Sequence, residues 1–117
     1  MAKKNPLAVS KSFRAFILDQ LAELGDVEPK SMFGAVGLYR GGLFFGIVAG
    51  DVLYLKADDK TRAKYEAAGS APFDPYPGRA GKMEYYAVPI GVLESPTELA
   101  QWARLALAAA ERQPRQD

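Results

Sequence analysis

At 117 residues with a formal net charge of +1, the chain has the length of one domain and no overall charge excess of the kind that marks a nucleic-acid binder. It holds neither cysteine nor histidine, which excludes disulfides, thiolate catalysis, iron–sulfur clusters, cysteine-based zinc sites and every Ser-His-Asp or Cys-His arrangement. An enzyme built from it has to work with Asp, Glu, Lys, Tyr, Ser or Thr, and the reading is that it has no cofactor, no metal and no catalytic residues.

Residues 1–9 carry two lysines and no apolar run of signal-peptide length, and no later run approaches a membrane span. The expected location is cytoplasmic, without membrane contact. Asn5-Pro6 reads as an N-cap followed by proline at the first helical position. Phe13, Phe16, Ile17, Leu21 and Leu24 then recur at helical spacing, up to a stop at Gly25. Residues 26–31 read as a linker.

Between Met32 and Lys56 the composition shifts to glycine, aromatic and β-branched residues, with two-residue turns at Gly41-Gly42 and Gly50-Asp51. This predicts strands over 33–40, 43–49 and 52–56. Uninterrupted pairing from the two turns puts Ala35, Gly37, Tyr39, Phe44, Gly46, Val48, Leu53 and Leu55 on one face. The other face receives Val36, Leu38, Phe45, Ile47 and Tyr54, with Arg40 and Lys56 at its ends.

Asp58 caps a second predicted helix, in which Thr61, Tyr65 and Ala68 make a thin stripe before Gly69 ends it. Residues 70–82 form an irregular loop punctuated by Pro72, Pro75 and Pro77, and 83–88 read as a further strand stopped by Pro89. Ser95-Pro96-Thr97-Glu98 is a capping box opening a last helix, with Leu99, Trp102, Ala103, Ala106, Ala109 and Ala110 on one stripe, ending near Arg112. The fold class is α+β: two layers, helices packed on an antiparallel four- to five-stranded sheet, in the order α-β-β-β-α-β-α. One domain spans 5–112, with flexible ends at 1–4 and 113–117.

Met32-Phe33-Gly34 with Gly37-Leu38-Tyr39, Leu53-Tyr54-Leu55-Lys56 and Gly69-Ser70-Ala71-Pro72-Phe73 occur in that order. Met83-Glu84-Tyr85-Tyr86-Ala87-Val88-Pro89 and the stretch from Leu99 to Ala110 follow. As an ordered set these resemble the N-terminal domain of the TfoX/Sxy family, over nearly the whole chain. The resemblance implies helices against an antiparallel sheet, as in secretion chaperones. It also implies kinship with regulators of DNA-uptake competence, which act with a cyclic-AMP-dependent activator on competence promoters. Full-length regulators add a helical C-terminal domain, so the expectation is a stand-alone N-terminal domain. The family's pattern brings no catalytic residues with it.

Three features can carry function. A two-layer domain covers one sheet face with helices and normally leaves the other polar. Here both faces are apolar, so the face with Tyr39, Phe44, Val48, Leu53 and Leu55 is the candidate interaction surface, for a protein partner or a second copy of the chain. The competing reading is that the chain covers both faces itself. A second feature is the set Arg40, Lys56, Arg79 and Lys82 with Tyr76, which can stack bases or hold phosphate. Against it stands a proline-pinned crossover with buried aromatics and solvated cations. A third is Lys56 near Asp58 and Asp59, a desolvated amine or simply a lysine at a strand end next to a helix cap. The expected function is a non-enzymatic interaction and regulatory domain; the alternatives are direct nucleic-acid binding, and a ligand binder or enzyme using Lys and Tyr, which requires a pocket beside Lys56.

Overall fold

The computed structural model describes residues 7–74 and 84–112 of the chain. Its elements are α1 (Lys11–Gln20), β1 (Glu28–Met32), β2 (Ala35–Arg40), β3 (Leu43–Ala49), β4 (Val52–Lys56), α2 (Arg62–Ala67), β5 (Tyr85–Ala87), α3 (Ile90–Leu93) and α4 (Pro96–Arg112). The strands make one antiparallel sheet in the order β1-β2-β3-β4-β5. The α+β class and the antiparallel sheet agree with the reading of the sequence, and two elements are added to its order: β1 and the single turn α3.

The first helix begins later than Asn5-Pro6 implied. Asn5 and Pro6 lie outside the described residues, residues 8–10 are not helical, and Ser10, in an extended conformation, is the cap, its Oγ accepting from the Phe13 N–H at 3.1 Å. Its own N–H donates to Asp51 Oδ1 at 2.9 Å, which pins the helix start to the β3–β4 turn. Helix α1 buries Ile17, and Leu21 and Leu24 continue its apolar side in the turns that follow. Gly25 then takes a φ of +77°, the left-handed conformation that ends a helix without strain.

The stretch expected to be a linker contains β1. Its sequence, Glu-Pro-Lys-Ser-Met, holds poor strand formers, and the strand exists because β2 pairs it along its length. It lies at a sheet edge, where proline and charge also discourage pairing with another chain. The turn joining it to β2 is Phe33-Gly34, with φ of +52° and +88°. Phenylalanine is an unusual residue at such a position, so the turn carries none of the usual signal.

The turn at Gly41-Gly42 sets Arg40 opposite Leu43 and Tyr39 opposite Phe44, as expected, and the ladder then slips by one residue. Leu38 lies across from Gly46 and Val36 across from Val48, so Phe45 has no partner. This bulge overturns the predicted faces. Val36, Leu38, Phe45, Val48, Leu53 and Leu55 form the main core with α1, α2 and α4. Ala35, Ile47 and Ala49 face the other way, with Phe73 and Tyr85 over them and Leu7, Met32, Phe44 and Tyr54 packed at the margin. The second face is thus partly covered by the chain's own segments.

Helix α4 lies on β3, β4 and α3, burying Leu99, Ala103, Ala106 and Ala109 completely. Ser95 Oγ accepts from the Glu98 N–H, the capping bond expected of this sequence. Helix α2 is too short to stand alone and is held by Tyr65, packed between Tyr86 and the edge of Trp102. Residues 71–73 run along the outer side of β5, with Phe73 N–H bonded to Tyr85 O and Ala87 N–H to Ala71 O. The ends at 1–4 and 113–117 and most of the 70–82 loop lie outside the described residues.

Candidate functional site

Two neighbouring features meet at Lys56, one on the sheet face away from α1 and α4 and one bounded by the end of α4. The first is a row of rings. Tyr39 on β2 stacks on Phe44 on β3 with centroids 4.9 Å apart, and Phe44 meets Tyr85 on β5 at 5.4 Å. A cation stands at each end: Lys30 Nζ lies 4.6 Å from the Tyr39 centroid, and Lys56 Nζ 5.2 Å from that of Tyr85. Such contacts contribute about 0.5–1.5 kcal/mol each, enough to hold the rings in place. Burial raises the Tyr85 phenol to about 12, with the neighbouring Tyr39 adding to the shift.

The second feature is a pocket of about 330 Å³ where four elements meet. The end of β4 gives Lys56 and Ala57, the turn into α2 gives Asp58, Asp59 and Arg62, the residue before β5 gives Glu84, and the end of α4 gives Ala109 and Arg112. The carboxylates are engaged. Arg62 Nη2 donates to Glu84 Oε2 at 2.7 Å and contacts Asp59 Oδ1 at 2.9 Å. Arg112 Nε donates to Asp58 Oδ2 at 2.7 Å, while Asp58 Oδ1 accepts from the N–H groups of Lys60 and Thr61. Partial burial disfavours the charged form of Asp58, but the Arg112 and backbone hydrogen bonds outweigh it and hold its pKa below the ordinary carboxylate value.

Lys56 differs from the two arginines. Its side chain is 9% exposed, yet its Nζ makes no hydrogen bond or ion pair among the described residues, only the contact with the Tyr85 ring. Desolvation lowers its pKa below the usual lysine value, against the attraction of Glu84 and Asp58. No fully sealed side-chain nitrogen or oxygen is left unsatisfied among the described residues, so the ammonium, which has no hydrogen-bond partner there, is not sealed from solvent.

The residues singled out from sequence are therefore divided. Val48, Leu53 and Leu55 lie fully buried beneath the helices, and the bulge separates them from Tyr39 and Phe44, which sit half-buried on the opposite face. Those five do not form one surface. Arg40 donates from Nε to the Gly25 carbonyl at 2.9 Å, fastening the end of β2 to the turn after α1. Lys56 lines the pocket; neither it nor Arg40 is presented as an open phosphate contact. Tyr76, Arg79 and Lys82 lie outside the described residues. Lys30, Arg62, Glu84 and Arg112 gave no sequence signal, since their roles arise from strands and helices far apart in the chain. Among the described residues no group of three or more His, Cys, Asp or Glu can hold a metal ion, and no helix is long and apolar enough to cross a membrane.

An α+β domain with a five-stranded meander, helices on one face and an aromatic row on the other is the class defined by these observations. The chain belongs to the TfoX N-terminal domain family, whose profile matches residues 19–110. The match includes both the ring row and every residue lining the pocket except Arg112. No curated protein matches the chain.

Proposed function

We propose that this protein is a non-catalytic interaction domain of regulatory character, working through protein contacts made by the second face of its sheet. The observation that carries the reading is the row Tyr39–Phe44–Tyr85, with Tyr54 and Met32 beside it, on a face where a solvated sheet would alternate to polar side chains. Tyr39 and Phe44, half-buried and held in place by the buried Tyr85, suit a contact surface because they present apolar area at small entropic cost. Membership of the TfoX N-terminal domain family supports reading the role as regulatory, exercised through partner binding.

The form of contact tested first is self-association. Sedimentation velocity from low to high micromolar concentration is expected to show a reversible dimer, weakened by Tyr39→Lys, which replaces an end ring of the row by a charge. A strict monomer at high micromolar concentration overturns self-association, and equal association of wild type and Tyr39→Lys removes the second face from the reading. Direct nucleic-acid binding is less well supported, since Arg40 is engaged with Gly25 and Lys56 is buried.

A further inference from the structure

We propose that the pocket between β4, the turn into α2 and the end of α4 is a binding site for a small monocarboxylate, with the Lys56 ammonium as its anchor. This goes beyond the interaction surface, and it stands or falls independently of it.

The case begins with hydrogen-bond capacity. An ammonium has three donors and no acceptor, and a side chain removed from water to the extent of Lys56 ordinarily finds acceptors in the protein. Here the three nearby carboxylates are turned to other donors: Asp58 to Arg112 and the Lys60 and Thr61 N–H groups, and Asp59 and Glu84 to Arg62. Among the described residues Lys56 is the one pocket cation without an ion pair, although it lines the open space. A ligand acceptor of negative charge gains a charge-assisted hydrogen bond there and recovers part of the solvation that the ammonium lost.

Charge decides between anions. The lining holds three cations and three carboxylates. A phosphate dianion brings a second negative charge next to Asp58, Asp59 and Glu84, whereas a carboxylate matches the single uncommitted ammonium. Size agrees, because a cavity of about 330 Å³ lies at the low end of small-molecule sites. Ala57 and Ala109 supply short apolar wall beside the charged groups, which favours a compact hydrocarbon body on the carboxylate.

The test uses the full chain and three probes of the same shape: benzoate, neutral benzamide and phenyl phosphate. Backbone amide NMR shifts are followed during titration. Benzoate is expected to give saturable shifts at Ala57, Arg62 and Ala109 with a dissociation constant at or below about 1 mM. Benzamide and phenyl phosphate are expected to bind at least about tenfold more weakly. Lys56→Met keeps the apolar stem and is expected to weaken benzoate by at least about tenfold. Absence of saturation by about 10 mM benzoate overturns the site. Equal binding of benzamide, tighter binding of phenyl phosphate, or unchanged benzoate binding by a folded Lys56→Met protein overturns the ligand assignment. Should Lys56→Met fail to fold, the ratio of benzoate to benzamide on the wild-type chain decides.

Discussion

Leu38 lies opposite Gly46, although unbroken pairing from the two-residue turn at Gly41-Gly42 would place it opposite Phe45. The slip brings Val48, Leu53 and Leu55 onto the core face with Val36, Leu38 and Phe45, and sends Ile47 and Tyr54 to the face of Tyr39 and Phe44. A single unpaired residue thereby gives the sheet a helix-covered face and an aromatic one. Gly46 is part of the arrangement: a Cβ there would come within 3.2 Å of the Tyr54 carbonyl oxygen and 3.3 Å of both Leu38 and Leu55.

Gly46→Ala is therefore expected to destabilise the fold by about 1–3 kcal/mol, because the nearest atom belongs to the backbone of a central strand and cannot swing away. Gly37→Ala makes a closer contact, 2.8 Å to Met32 Cε, but that atom is the end of a flexible side chain. Urea unfolding followed by Trp102 fluorescence, the chain having one tryptophan, should rank Gly46→Ala as the more damaging. The reverse order would mean that the bulge is not held by this close approach.

Asp58 joins the turn into α2 to the end of α4, through Lys60, Thr61 and Arg112. Thr61, not Asp58, is the N-cap of α2, so Asp58 acts on the turn before the helix. Asp58→Asn is expected to cost about 1–2 kcal/mol through its weakened bonds to the Lys60 and Thr61 N–H groups and to Arg112. Arg112→Gln removes only a partly exposed ion pair and is expected to cost about 1 kcal/mol or less. The acid limb gives a further check. Since the folded pKa of Asp58 is depressed, its contribution is present above the unfolded value of 3.8 and is lost as pH falls through the lower folded value. Wild type should lose stability relative to Asp58→Asn in that window, and parallel acid limbs would contradict the assignment.

What the sequence made legible was local. The turns at Gly41-Gly42 and Gly50-Asp51, the β3–β4 register and the Ser95 cap all follow from residues within a few positions of each other. Strand β1 was hidden because Glu28, Pro29 and Lys30 have no strand preference of their own and are ordered by β2. The bulge was hidden because extrapolating from a turn assumes an unbroken ladder, and neither Phe44 nor Phe45 tells which of two adjacent phenylalanines faces the helices. At the pocket, Lys56 and its nearby carboxylates could be read from sequence, whereas Glu84 and Arg112 meet them only through the packing of β5 and α4.

Tyr65 is the residue through which α2 is attached. It is 2% exposed, with its ring 5.5 Å from Tyr86 and 5.0 Å from Trp102, the latter edge-on at 86°. Tyr65→Ala is expected to cost about 3–5 kcal/mol through the lost ring and the cavity left behind. Tyr65→Phe keeps the ring contacts and should cost much less. Thermal unfolding of the two variants measures the difference; similar large losses would locate the effect in the hydroxyl rather than in the aromatic cluster.

The tyrosines also set the alkaline limit. Burial raises Tyr65 and Tyr85, the latter to about 12, so the folded protein keeps phenolic protons that the unfolded chain releases near its ordinary pKa of 10.0. The folded state then binds more protons than the unfolded one, and stability falls as pH rises from about 10 to about 12. Lys56 acts with the opposite sign. Its folded pKa is lowered, so the unfolded chain holds the extra proton between that value and 10.5, and stability rises through that interval before the tyrosines dominate. Urea midpoints across the alkaline range should therefore fall steeply beyond about pH 10. Tyr85→Phe should flatten that fall, and Lys56→Met should remove the preceding rise without changing the fall. A wild-type profile that stays level to about pH 12 would contradict the buried, protonated state of both phenols.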